Sequence, residues 1–350
     1  MSVITLADLM QRSGAPALDR KIVDETQHAA PLFKRLPSRV ISGTVYRYQK
    51  RDTLPKIGPR PINAGVEAHK ASYKSANAEC YYYDGVITLD KALADADPKG
   101  KNNLMADEAR ATIKGTMFGL EQSLFYPQEF GAPCLRQTIG DYMAMSADPS
   151  IKDETAWTAG GASVWLLHVA DGALENIFGN SNTIAFGPVE KQDVQRPTGK
   201  VDKNGNPTFG MMTALVQHCS FWRGFVQKNV FAVGAILNES AAHPLTDEML
   251  AKAVEMFPAS MRPNLIVMNT ASRSRLRASR SLAMTYRKGQ SGQTAYVETP
   301  TEWDGIEIMV TDGILNDETP EKIAEFMGKS DFSAADMLDT TKITNPNKIA

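Results

Sequence analysis

Thr44-Val45-Tyr46-Arg47-Tyr48-Gln49 and Cys80-Tyr81-Tyr82-Tyr83-Asp84-Gly85-Val86-Ile87-Thr88-Leu89 bracket the stretch that decides the fold. In the first segment Val45, Arg47 and Gln49 point one way and Thr44, Tyr46 and Tyr48 the other, the two-residue period of a β-strand. The second segment is its expected return strand. Between them, Asp52 to Ser75 carries Pro55, Gly58, Pro59, Pro61 and Gly65 but few large apolar residues. Such a segment cannot bury itself as a core, and it is too long for an ordinary connection inside a domain. Arg47, Lys50, Arg51, Lys56, Arg60, Lys70 and Lys74 outweigh Asp52 and Glu67 there, a local basic excess. It reads either as a solvated β-hairpin or as a docking arm that meets acidic partners on another subunit.

After the break Asp97-Pro98-Lys99-Gly100, one long helix is predicted over residues 103–125. Met105, Ala109, Ile113, Met117, Leu120 and Leu124 recur at three- and four-residue intervals. Gly115 and Gly119 sit four apart on it, either as a small-residue pair for close backbone approach or as two tolerated helix glycines. Strand, basic arm, strand and long helix, in that order, describe a subunit built to reach a neighbour.

Composition sets outer limits. At 350 residues, 43% hydrophobic and 22% charged, the chain suits one large or two moderate globular domains. A net charge of −2 argues against general nucleic-acid affinity, which needs many clustered cations. The longest apolar runs, such as 230–237, fall far short of the roughly 20 residues of a membrane helix. The N-terminus lacks a signal-peptide pattern, and Cys80, Cys134 and Cys219 are odd in number and widely spaced, so a reduced, cytosolic protein without disulfides is expected.

Upstream of the arm, Thr5 with Asp8 caps a short predicted helix, followed by an extended segment with Ile22, Val23, Leu32, Phe33 and Leu36 as apolar anchors. Residues 126–245 read as a loop-rich, mainly β subdomain with strands expected at 162–169, 182–186 and 209–218. The Asn204-Gly205 pair suits a tight hairpin turn. The run 221–230 alternates bulky apolar residues with Arg223 and Lys228 and leads into a buried strand, 230–237. Thr246 caps a helix stopped by Pro258, Leu265–Met268 is a buried strand, and Thr270 or Ser272 caps a helix through Leu276. A strand at 306–310 and a short helix near 319–327 precede a charged tail.

No catalytic constellation stands out. His28, His69, His168, His218 and His243 are scattered, and His218-Cys219 would point to opposite faces of a strand. The segment from Asp202 resembles a calcium loop at its first, third and fifth positions, but Pro207 and Thr213 replace the required glycine and glutamate. Glycine-rich phosphate loops and nucleophile elbows are absent from the sequence. No catalytic, cofactor-binding or metal site is therefore expected. Arg273, Arg277 and Arg280 share one helix face, either a solvated face or a contact for phosphate or carboxylate.

The order of parts resembles the major capsid proteins of tailed double-stranded DNA phages. The resemblance rests on Ala30-Pro31-Leu32-Phe33-Lys34-Arg35-Leu36-Pro37, the strand Gly43–Tyr48, the basic loop, the strand Ala78–Leu89, the long helix, the β-rich middle, and the late unit Leu265–Arg277 with Gly305–Val310. It implies an α+β fold with an N-arm (1–42), an extended β-hairpin loop with flanking strands (43–90), a peripheral domain with a long spine helix (91–125 plus 281–318), an axial domain (126–280) and a C-terminal tail (319–350). It also implies a structural protein, not an enzyme, that assembles as hexamers and pentamers into an icosahedral shell enclosing double-stranded DNA. The implied partners are copies of itself, scaffolding, portal and decoration proteins, and packaged DNA held without sequence reading. No membrane is involved, and the implied location is the virion, after assembly in the host cytoplasm. A separate scaffolding protein is implied because no long helical N-terminal segment is visible. Tyr46, Arg47, Tyr48, Lys50, Arg51, Lys56, Arg60, Lys70 and Lys74 would then be subunit-interface residues, with Tyr46 and Tyr48 at the root of the arm. Arg273, Arg277 and Arg280 would touch DNA or a neighbour. Two other classes remain at this stage: an encapsulin-like nanocompartment, which would show an apolar groove for a cargo peptide, and an α/β enzyme, which would show convergent polar residues in a pocket.

Overall fold

A computed structural model describes residues 30–60, 62–63, 65, 69–96, 101–128, 131–151, 160–181, 183–201, 207–287 and 298–327. The expected helix from Thr5, the anchors Ile22 and Val23, the Asn204-Gly205 turn with the calcium-like segment at 202–206, and the tail beyond 327 lie outside the described residues.

The chain begins with helix α1 (Pro31–Arg35), β1 (Ser38–Val40), β2 (Val45–Thr53), β3 (Ser72–Glu79), β4 (Tyr81–Asp90), α2 (Lys91–Ala96) and the long α3 (Lys101–Phe125). It continues through α4 (Leu135–Thr138), β5 (Ala144–Ser146), β6 (Ala162–Leu167), β7 (Leu174–Phe178), β8 (Ala185–Phe186), β9 (Glu190–Val201) and β10 (Pro207–Gln227). β11 (Val233–Glu239), α5 (Asp247–Glu255), β12 (Leu265–Met268), α6 (Thr270–Arg287), β13 (Glu302–Trp303), β14 (Ile306–Val310) and α7 (Pro320–Phe326) complete it. These elements form two compact units, one from described residues within 82–119 and 182–222, the other from those within 29–81, 120–181 and 223–327.

In the first unit, β8 and β9 run antiparallel to the first part of β10, and β4 also pairs with β10. Ile87 and Leu89 of β4, Ala94 of α2, Leu104 and Met105 of α3 and Leu215 of β10 make its core. Tyr83 stacks on Phe221 at 5.2 Å, and Tyr82 packs against Trp222 at 5.1 Å. β9 escaped the sequence reading because its run, Glu-Lys-Gln-Asp-Val-Gln-Arg-Pro, has almost no apolar alternation; its ladder with β10 holds it in place.

The second unit centres on a six-stranded sheet of order β13-β14-β12-β6-β11-β5, with β14 parallel to β12, β6 antiparallel to β12 and β11, and β5 parallel to β11. Val164, Trp165, Leu166 and Leu167 are fully buried along β6, and Phe125 lies 6.1 Å from Trp165. β14 thus belongs to this sheet, although residues 281–318 are expected beside the long helix. The segment following β14 does reach that helix's C-terminal end, where the Thr311 hydroxyl bonds the Glu121 carboxylate. The last part of β10, Arg223–Gln227, pairs antiparallel with β7, and β7 pairs in parallel with β1.

The expected helix 103–125 is confirmed, with Met105 buried near one end and Leu120 and Leu124 near the other. Ile113, midway along the same stripe, is exposed. A Cβ built on Gly115 or Gly119 would meet nothing within 4 Å, so neither glycine serves a close approach within the subunit. Two further boundaries move. The run beyond 220 continues β10 to Gln227 and passes from the first unit to the second at Arg223, which, polar in the sequence, is itself buried, donating to Ser123 Oγ at 2.5 Å and lying over the Phe33 ring. Helix α6 runs well past Leu276, and its cap is Asn269, whose Oδ1 accepts from Ser272 N at 2.7 Å. Thr246 caps α5 as expected, and α7 matches the short helix expected near 319–327.

Three buried carboxylates tie remote segments to this scaffold. Glu318 accepts from Tyr126 Oη (2.9 Å) and Ser163 Oγ (2.7 Å) and pairs with Arg136. Glu239 accepts from Ser272 Oγ and Leu245 N and pairs with Arg275. Glu121, on α3, accepts from the Phe33 N–H of α1 at 3.0 Å and from Thr311. Burial pushes the Glu121 carboxyl up to about 7 against the opposing pull of those hydrogen bonds. Cys80, Cys134 and Cys219 are buried free thiols.

Because the fold raises the pKa of Glu121, its contribution to stability is complete below its unfolded value and is lost as pH rises towards about 7. Glu121→Gln removes that titration. The stability difference between wild type and the variant, read from thermal unfolding between pH 4.5 and 8, is expected to shift against wild type as pH rises. A difference that stays constant across this range contradicts it.

Candidate subunit-contact site

The arm is an antiparallel ribbon of β2 and β3, in register from Val45↔Glu79 to Lys50↔Lys74 and Arg51↔Tyr73, with a shift before Thr53↔Ser72. This corrects the expected pairing with 80–89. The return strand is Ser72–Glu79, while Tyr81–Asp90 joins β10. The apolar run after Cys80 drew the sequence reading, but the ribbon needs small residues opposite its tyrosines: Tyr46 faces Ala78 and Tyr48 faces Ala76. Both alanines are buried. The expected alternation holds, since Tyr46, Tyr48 and Lys50 are half-buried while Val45, Arg47 and Gln49 are exposed.

Tyr46 and Tyr48 stack with ring centroids 5.7 Å apart. Beneath them lies a charged cluster that the sequence did not announce. Glu175 of β7, almost fully buried, accepts from Arg39 Nε at 2.9 Å, Lys228 Nζ at 2.7 Å and Gly172 N at 2.8 Å. Both cations also lie over the Tyr46 ring, at 5.7 Å for Arg39 and 5.0 Å for Lys228. Burial would raise the Glu175 carboxyl, but the donors together outweigh it and hold the group down at about 2. The parallel β1–β7 pairing and the end of β10 bring these residues together. In the sequence Glu175 is a lone acid inside an apolar strand, which is the one signal that could have marked it.

Farther out, Lys50 lies over the Tyr48 ring at 5.6 Å, and burial lowers its amine to about 8. Burial also raises the Tyr48 hydroxyl to about 12. Lys74 pairs with Asp52 at 3.1 Å, and Arg51 lies over Tyr73. Lys56, Arg60 and Lys70 sit exposed in the connection between the strands. The same connection exposes Leu54 (68%), Ile57 (102%) and Ile62 (92%), so three aliphatic side chains stand in solvent where no core of their own covers them.

The expected arginine face on α6 is less available than its pattern suggests. Arg280 grips Asp247 of α5 through Nε (3.0 and 3.1 Å) and Nη2 (2.8 Å), while Arg273 and Arg277 are half-exposed. Among the described residues no group of three His, Cys, Asp or Glu side chains could hold a metal ion, and no helix is long and apolar enough to cross a membrane.

The ribbon is thus covered at its base and carries exposed cations and aliphatic side chains at its tip. The family model for major capsid protein GP7 matches residues 41–322, and the chain belongs to that family. It is a structural capsid protein, with an α+β major capsid fold, and not an enzyme. Among solved structures, a chain of bacteriophage Epsilon15 shares 12% identity over 90% of this chain and 96% of that one, with a TM-score of 0.64, which shows the shared fold. The bacteriophage JBD30 capsid matches at 12% identity, 89% and 99% coverage and TM-score 0.49. An encapsulin complex from Synechococcus elongatus matches at 11%, 67% and 96%, with TM-score 0.43. No protein with a curated description matches the sequence.

The Glu175 carboxylate is stabilising above its unfolded pKa and loses that contribution as pH falls towards 2. Glu175→Gln at neutral pH leaves Lys228 and half-exposed Arg39 without a counter-charge and should cost about 2 kcal/mol. Faster amide hydrogen exchange is expected in β1 and at the root of β2, with little change in β12. Unchanged exchange around Tyr46 would dismiss Glu175 as the anchor of the arm.

Proposed function

We propose that copies of this chain assemble as hexamers and pentamers into an icosahedral shell that encloses double-stranded DNA. The observation that carries this reading is the arm, a two-stranded ribbon whose aliphatic tip residues and cations face solvent in the isolated subunit. An isolated ribbon of this kind is at best marginally stable in water, and three exposed aliphatic side chains on one loop mark a contact surface. Membership of the capsid family supports the same reading.

In this reading residues 1–42 form the N-arm and 43–90 the extended loop with its flanking strands. Residues 91–125 with 281–318 supply the peripheral domain and its spine helix, 126–280 the axial domain around the capsomer axis, and 319–350 the tail. Tyr46, Arg47, Tyr48, Lys50, Arg51, Lys56, Arg60, Lys70 and Lys74 lie at or beside the contact with neighbouring subunits. DNA is held without sequence reading, with Arg273 and Arg277 as the more accessible members of the arginine face, and such contact weakens steeply with salt. Scaffolding, portal and decoration proteins are the further partners, and assembly takes place in the host cytoplasm.

Negative-stain microscopy and sedimentation of the purified chain test this reading. Rings or closed shells are expected, and a compact monomer at every concentration and salt would refute it. Changing Arg51, Lys56 and Arg60 together to Glu should abolish shells while leaving circular dichroism unchanged. Each surface contact is worth only about 0–1 kcal/mol, but a closed shell repeats it at every interface. Full shell yield from the triple variant would remove the arm from assembly.

A further inference from the structure

The chain is nearly neutral, yet two groups of like charge without ion-pair partners stand out among the described residues. On the arm, exposed Arg47, Lys56 and Lys70 have no ion-pair partner among the described residues. At the outer edge of the second unit's sheet the opposite holds. β13 is the outermost strand, and its Glu302 stands directly opposite Glu307 of β14. Like charges in that position repel across the ladder. Glu307 has only a 3.7 Å contact with Arg35, both side chains being more than half exposed, which contributes little. Asp304 at the turn is taken by Arg262. Glu298, exposed just before β13, and Glu302 have no ion-pair partner among the described residues.

Resting on the assembly reading above, we propose that the outward basic face of the arm docks on the acidic β13–β14 edge of a second copy of this chain. The occupant follows from charge complementarity. The edge carries a built-in carboxylate repulsion that an incoming cation relieves, and the arm carries cations that its own ribbon leaves unmatched. Two arms cannot meet face to face without like-charge repulsion, and neither can two edges, so the contact is heterologous, arm of one copy to edge of the next. A heterologous contact repeats from copy to copy and closes into a ring or shell when its rotation permits. Nine residues of β2 span ~30 Å, a reach suited to crossing a subunit boundary. Leu54, Ile57 and Ile62 at the tip then gain cover from the same neighbour.

Charge exchange between the two faces provides the test. Arm variant R47E/K56E and edge variant E298K/E302K are each expected to lower the yield of sedimenting shells by about tenfold or more, because a small loss recurs at every contact. The chain carrying all four changes should recover most of the yield, since the attraction is restored with its sign exchanged. Normal yield from the edge variant, or failure of the fourfold variant to recover while still folded by circular dichroism, overturns the pairing and leaves the assembly reading standing. A wild-type chain that forms neither rings nor shells overturns the assembly reading and this pairing with it. If a reversed chain fails to fold, the neutral variants R47Q/K56Q and E298Q/E302Q read the same contact. The pairing requires both to raise the concentration needed for assembly, and an unchanged threshold in either rejects it.

Discussion

A carboxylate taken out of water must be met by donors, and Glu175 is the point at which this subunit satisfies that demand with segments far apart in sequence. Arg39 arrives on β1, Lys228 at the end of β10 and the Gly172 N–H from the turn before β7. The Gly172 bond is local but both ion pairs are not, so the two cations reach Glu175 only when β1 lies parallel to β7 and β10 antiparallel to it. The cations that neutralise Glu175 also lie against the Tyr46 ring at the root of the ribbon. The arm is thus anchored by electrostatics at its base, while its tip stands in solvent.

The same device recurs where other connections meet the body. Glu121, Glu239 and Glu318 are each buried, and each joins segments separated by tens to hundreds of residues. Buried ion pairs add little net stability compared with a well-packed apolar replacement, but removing one partner is costly. The Arg136–Glu318 and Arg275–Glu239 pairs therefore act against misplacement more than they add to overall stability. Apolar burial along β6, β11 and β12 supplies the driving force.

Much of the fold was legible because it obeys simple periods. The helix Lys101–Phe125 showed its stripe, β12 its continuous apolar run, and Thr246 its cap. The alternation at 44–49 placed Tyr46 and Tyr48 on the covered face of the arm. Illegible features were those whose logic is tertiary. β3 is small and polar because two tyrosines lie opposite its alanines, β9 pairs along β10 without apolar alternation of its own, and Arg223 reads as a surface residue until Phe33 and Ser123 are brought to it. At the contact site the cationic excess was visible in the sequence. The Arg39–Glu175–Lys228 anchor was not, because its members lie more than 50 residues apart in the chain.

The three buried thiols have a chemical consequence. Burial raises both Cys80 and Cys134 to about 11, and it also shifts Cys219 upward. Only the thiolate is nucleophilic, so near neutral pH about one molecule in ten thousand would be reactive at Cys80 or Cys134 even if reagent could reach the sulfur. Cys80 and Cys134 are therefore poor targets for maleimides and mild oxidants. A cysteine introduced at an exposed position outside the arm, such as Ile113, would become the dominant reactive sulfur on each copy.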